Sequence, residues 1–198
     1  SLVEYAVEFT KCDVAALIRT REGSFHYSQA EIKIMCEDIR RIRDKGAKAV
    51  VVGALTSDGF IDYRAIELFV KAARGMDIAF QRAFDVCQDG DESIGKLESL
   101  GICRLLSSGK KTTCVEGLEN LKRYAELTTN MEIMPGSGLR SNNIAQVVSA
   151  CFSSYHTSAS EMRFENDASI MPASYVVANG EEVRALSHFL TDYVSKFN

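Results

Sequence analysis

Long apolar runs are missing from this chain, and so are most features that divide a protein into parts. No stretch of about 18 uncharged apolar residues occurs, so no membrane span is expected. The N-terminal "SLVEYAVEFTKCD" has neither the basic start nor the long apolar centre of a signal peptide. Two prolines and no low-complexity stretch in 198 residues leave no linker, so one domain over residues 1–198 is the expectation. Lysine and arginine form no long run, and the formal net charge is −4. That balance excludes a broad phosphate-tracking face for nucleic acid. No two cysteines make a CxxC pair; the six fall unevenly at 12, 36, 87, 103, 114 and 151. The spacing argues against a disulfide framework and for reduced thiols in a cytoplasmic protein.

What the chain does contain is alternation. Apolar, often β-branched runs occur at 13–20, 47–55, 77–84, 102–109, 131–138 and 153–159. Segments of helical spacing separate them. In "SQAEIKIMCEDIRRIRDKGA", Ile32, Met35, Ile39 and Ile42 share one face; Ser28 with Glu31 forms a capping-box pattern and Gly46 closes the segment. Asp62 and Gly75 bracket the next helix in the same way, and Asn179 opens the last. The first residues, "SLVEYAVEF", read as a helix with Leu2, Ala6 and Phe9 on one face. Continuous apolar strands, intervening helices and no hairpin signals predict a parallel α/β sheet of six strands.

The strand ends choose between an open sheet and a barrel. The runs lead into Arg19 and Arg21, Thr56 and Asp58, Arg82 and Asp85, Ser107 to Gly109, Gly136 and Gly138, and Ser158 and Ser160. An open sheet gathers only the ends near its switch point, whereas a TIM-barrel-like (β/α) fold gathers all of them at one mouth. The barrel is the reading adopted. With six strands rather than eight it is incomplete, and its exposed edges predict self-association into a homo-oligomer.

Several blocks, in order, resemble the CutC copper-homeostasis family. They are "LIRTREGSFHYSQAEIKIMCEDI" (17–39), "VVVGALTSDGFID" (50–62), "FQRAFD" (80–85), "LLSSG" (105–109), "IMPGSGLRSNNI" (133–144) and "YHTSAS" (155–160). The resemblance implies a TIM-barrel-like, cytosolic protein that binds or traffics Cu(I). The matching blocks begin after the family's first β-α-β, a segment that holds candidate copper ligands. Within the blocks, Gln81 stands for a histidine, Thr20 for a proline, Ser160 for an arginine, and Ser137 interrupts a glycine run.

Two chemistries follow. Arg19, Arg21 and Arg82 at one mouth would offer planar forks to a carboxylate or phosphate. Gly136 and Gly138 would let backbone N–H groups approach the same anion, with Asp85, Ser108, Gly109, His156 and Ser158 on the rim. The bland reading is that Arg82 and Asp85 only pin a loop. Copper, the cofactor that the resemblance implies, would use soft sulfur ligands, and Cys87 lies nearest the expected rim. The functional expectation is Cu(I) handling, with a barrel enzyme or sensor for a small phosphorylated or carboxylated metabolite as the alternative. Arg82, Asp85, His156 and Ser107 could move a proton, but no catalytic signature fixes a reaction.

Overall fold

The computed structural model describes residues 1–150, 152–165 and 173–195. Strands β1 (Ala15–Leu17), β2 (Ala49–Val52), β3 (Asp77–Phe80), β4 (Arg104–Ser107) and β5 (Glu132–Pro135) form one five-stranded sheet in chain order, every pair parallel. Helices α1 (Leu2–Phe9), α2 (Gln29–Asp44), α3 (Tyr63–Ala73), α4 (Ala83–Val86), α5 (Glu92–Ser99), α6 (Leu118–Glu126) and α7 (Ile144–Val148) precede or connect the strands. This is the parallel strand–helix alternation of a TIM-barrel-like fold, without barrel closure among the described residues.

Local chemistry sets the helix ends. Ser28 Oγ accepts from the Glu31 N–H at 3.3 Å, and the Glu31 carboxylate accepts from the Ser28 N–H at 2.8 Å, the expected capping box. These bonds, with Arg21 alongside, hold the Glu31 carboxyl down at about 2. Asp62 caps α3 through the Ala65 N–H. Along α2, Ile32, Met35 and Ile39 are buried as the spacing predicts; Cys36 joins them, and Ile42 is only partly covered.

The sheet has two unlike faces. Val50, Val52, Ile78, Phe80, Leu105 and Ile133 point into the helix layer and are almost fully buried. On the other face, the register places Leu17, Val51, Ala79, Arg104 and Glu132 in one row. Gln81, Leu106 and Met134 form the next row toward the strand C-termini. Leu17 on that face is 60% exposed. In a closed barrel, side chains in such rows fill the interior.

Three expectations are corrected. The run 153–159 is not a sixth strand; it lies beside β5, joined by the His156 N–H to the Pro135 carbonyl at 2.8 Å. Hairpin pairing does occur: β6 (Ser160–Glu165) and β7 (Ala173–Ala178) are antiparallel and form their own two-stranded sheet before α8 (Gly180–Ser195). Alternation at Met162 and Phe164 was the signal for it. In α1, Leu2 and Phe9 face solvent, and Val3 makes the contact with the core.

Candidate functional site

The stretch "FQRAFD" builds the centre of the site. β3 stops at Phe80, and the single turn α4 carries Arg82 and Asp85 onto the rim. Asp85 is 4% exposed at its side chain and collects donors from the neighbouring strand end. Its carboxylate accepts from Ser107 Oγ at 2.6 Å, the Ser108 N–H at 3.0 Å, the Lys110 N–H at 3.2 Å and Arg82 Nε at 2.7 Å. Arg82 then reaches the ends of β4 and β5. Its Nη2 donates to Ser108 Oγ at 3.1 Å and its Nη1 to Ser137 Oγ at 3.0 Å. One ion pair therefore ties together three strand ends, which is the pinning role. Each Nη carries a second hydrogen, and the Arg82 side chain remains 41% exposed.

Ser137 adopts φ +83, the left-handed region that favours glycine. Its hydroxyl gives a reason for the exchange: it accepts from Arg82 and donates to the Thr112 carbonyl at 3.0 Å.

Behind this rim lies a cavity of about 510 Å³ on the open face of the sheet. Arg19, Gln81, Arg82 and His156 line its upper part, and Val51, Leu106 and Met134 belong to its wall. Gln81 is 6% exposed, and its Nε2 is a buried donor with no hydrogen-bond partner. Such a group costs about 1–3 kcal/mol when left unsatisfied. Two glycines make its surroundings. A Cβ at Gly53 would stand 2.6 Å from Gln81 Cγ, and one at Gly136 would stand 2.5 Å from Leu106 Cδ1 and 3.1 Å from His156 Cβ. Burial, and then the Arg82 charge, hold the His156 imidazole below its ordinary pKa, so it is neutral near pH 7.

The other expected site residues divide. Arg19 lines the cavity while donating to Tyr27 Oη at 3.2 Å and the Gly23 carbonyl at 2.8 Å, with Phe25 under its guanidinium. Arg21 is engaged in its own loop, with Glu31 at 2.7 Å and the His26 carbonyl at 2.6 Å, and does not line the cavity. The Gly136 N–H is taken by the Ser107 carbonyl. Gly138, at φ +69, packs beside Thr113. The Gly109 N–H donates to Ser107 Oγ. Ser158 bonds Ser160 and stands outside the cavity lining. Gln81 was missed as a site residue, although strand alternation puts it on the face of Ala79, two residues earlier.

Among the described residues, the buried thiols Cys36, Cys87 and Cys114 do not gather into a Cu(I) centre. Among the described residues, no three His, Cys, Asp or Glu side chains come together in a way that could hold a metal ion. Cys87 is buried, its Sγ turned to the Phe84 carbonyl at 3.2 Å, and burial pushes its thiol pKa up, away from the thiolate that binds metal. Cys36 and Cys114 are likewise buried, with thiols shifted upward chiefly by burial. Cys151 lies outside the described residues.

A parallel sheet with polar strand ends gathered over a cavity defines an α/β protein of TIM-barrel-like fold with a cavity at the strand C-termini. Within that class, the chain belongs to the CutC family, whose profile matches residues 1–161. CutC family proteins of Glaesserella parasuis and Pasteurella multocida are 37% and 38% identical to it, over 74% and 75% of this chain. The chain spans 60% and 61% of those two relatives. A crystal structure of a protein named for copper homeostasis, CutC of Streptococcus agalactiae, superposes with a TM-score of 0.73 at 32% identity, covering 78% of each chain. An aldolase superposes with a TM-score of 0.61 at 14% identity, covering 79% of this chain and 73% of its own, and shows the shared fold alone.

Proposed function

We propose that this chain acts in copper homeostasis, the role for which its streptococcal relative is named, as a cytoplasmic protein whose strand-end mouth binds a small phosphorylated or carboxylated molecule. The observation that carries the binding site is the buried, unpartnered Nε2 of Gln81, a residue that lines the cavity with Arg82 and His156. A turn of the Gln81 side chain toward a ligand oxygen would satisfy the orphan amide, and the second Nη hydrogens of Arg82 supply the complementary charge. His156, neutral before binding, would add a donor or, once protonated, a second charge.

Titration calorimetry with inorganic phosphate and with acetate tests this reading. Binding is expected in the wild type and should weaken about tenfold or more in Arg82→Ala, since a charged hydrogen bond contributes ~1.5–3 kcal/mol. Because Arg82 also pins three strand ends, His156→Ala serves as the companion variant. It removes no side-chain hydrogen bond seen among the described residues and should weaken binding without unfolding the protein. Absence of heat with both anions at millimolar concentration would refute the site.

The family name supports a second reading, in which Cu(I) is cargo held by sulfur and Cys87, the thiol that the sequence sets nearest the rim, is the candidate ligand. Competition for Cu(I) against a chelator, repeated with Cys87→Ser, separates the two. Cu(I) uptake that depends on Cys87 and ignores Arg82 would favour this second reading.

A further inference from the structure

We infer that the ligand of this mouth is an amphipathic anion, with a carboxylate or phosphate head at Gln81 and Arg82 and an apolar body lying down the open face of the sheet. The inference rests on the anion reading above and adds the class of molecule. The cavity does not stop at the charged rim. Beside Gln81 it takes in Leu106 and Met134, and below them it continues over Leu17, Val51 and Ala79. From the row of Ala49 to that of Gly53 is about 13 Å at ~3.3 Å a residue. That depth exceeds what phosphate or acetate can fill.

The charges divide by position. At the upper end, Arg82 and Arg19 stand with the neutral His156 and the unpartnered, nine-tenths-buried Gln81 amide. Arg104, in the row of Val51 and Ala79, is neutralised by Glu132 at 2.5 Å, and Asp77 at the lower end adds a negative charge. An anionic head is therefore attracted to one end only, and Leu17, Val51 and Ala79 between offer nothing to a polar body. A volume of about 510 Å³ is within the range of small-molecule sites.

Decanoate, acetate, inorganic phosphate and decanol, each titrated into the full chain by calorimetry below the micellar range, decide the matter. Decanoate is expected to bind at least about tenfold more tightly than acetate, from the burial of its chain. Leu17→Asp and Val51→Phe should each abolish that advantage, read as the ratio of decanoate to acetate affinity. Leu17 is exposed, so its variant should fold as the wild type does. Decanoate no tighter than acetate would overturn the amphipathic class while leaving the anion site standing. Decanol binding as tightly as decanoate would show that no head group is read, and would overturn it too. Failure of all four probes would remove the anion site itself. A chain that sediments as a dimer and binds acetate but not decanoate would mean that a second copy covers the apolar rows, again overturning the inference.

Discussion

The two faces of the central sheet are made by the same strands yet differ in nearly every property. On the helix side, Phe80 and Val52 are fully buried, and the α3 residues Ile66 and Phe69 belong to the same core. On the open side, the next residue along from Phe80 is Gln81, whose amide lacks a partner, and Leu17 is largely exposed. One face is satisfied and apolar; the other holds an unsatisfied donor, a patch of wall and a cluster of cations. The contrast teaches that stability and function are separated here by strand alternation, one residue apart.

Substitutions that sample each face can break that comparison. The largest expected effect is on the buried side. Phe80→Ala should cost about 3–5 kcal/mol by chemical denaturation, whereas Leu17→Ala on the open side should stay within about 0.5 kcal/mol. Equal costs would mean that the open face is covered in solution. Next is Asp85, which stands between the faces at the strand ends. Asp85→Ala leaves Arg82, Ser107 and two backbone N–H groups without their acceptor and should cost about 2–4 kcal/mol. A smaller loss would show that the ion pair does not pin the loops.

The smallest effect lies away from the sheet, at the start of α2. The Glu31 carboxyl sits near 2 when folded, against an ordinary value of 4.5. A depressed folded pKa contributes stability above the unfolded value, and that contribution is lost as pH falls from 4.5 through 2. Acid denaturation of Glu31→Gln should therefore show a shallower loss across this window than the wild type. Parallel curves would mean that the capping box and Arg21 do not hold the charge.

Much of this was legible in the residues. Ser28 and Glu31, Asp62, and the β-branched runs gave the helix starts and the five parallel strands, because capping and apolar periodicity are local. "FQRAFD" ended a strand on a guanidinium and a carboxylate, and the structure does place Arg82 and Asp85 at the rim. Arg21 was expected at the mouth from its position, but its partners Glu31 and His26 depend on how the loop folds back. The run 153–159 has strand composition but, among the described residues, bonds the β5 backbone only through the His156 N–H, since composition does not supply a pairing partner. Gln81 looked like a loss of chemistry when set against a histidine. Only the burial of its amide without a partner shows why it matters, and burial is a tertiary property.

Gln81→Leu tests the central claim most directly, because site and structure predict opposite signs. Replacing an unsatisfied buried amide with an apolar side chain of similar size should leave stability unchanged or raise it by about 1–2 kcal/mol. The same change removes the donor that the anion needs, so phosphate and acetate affinity measured by calorimetry should fall together. A variant that is at least as stable as the wild type and no longer binds anions is the predicted result. A destabilised variant, or one that binds as before, would contradict the account.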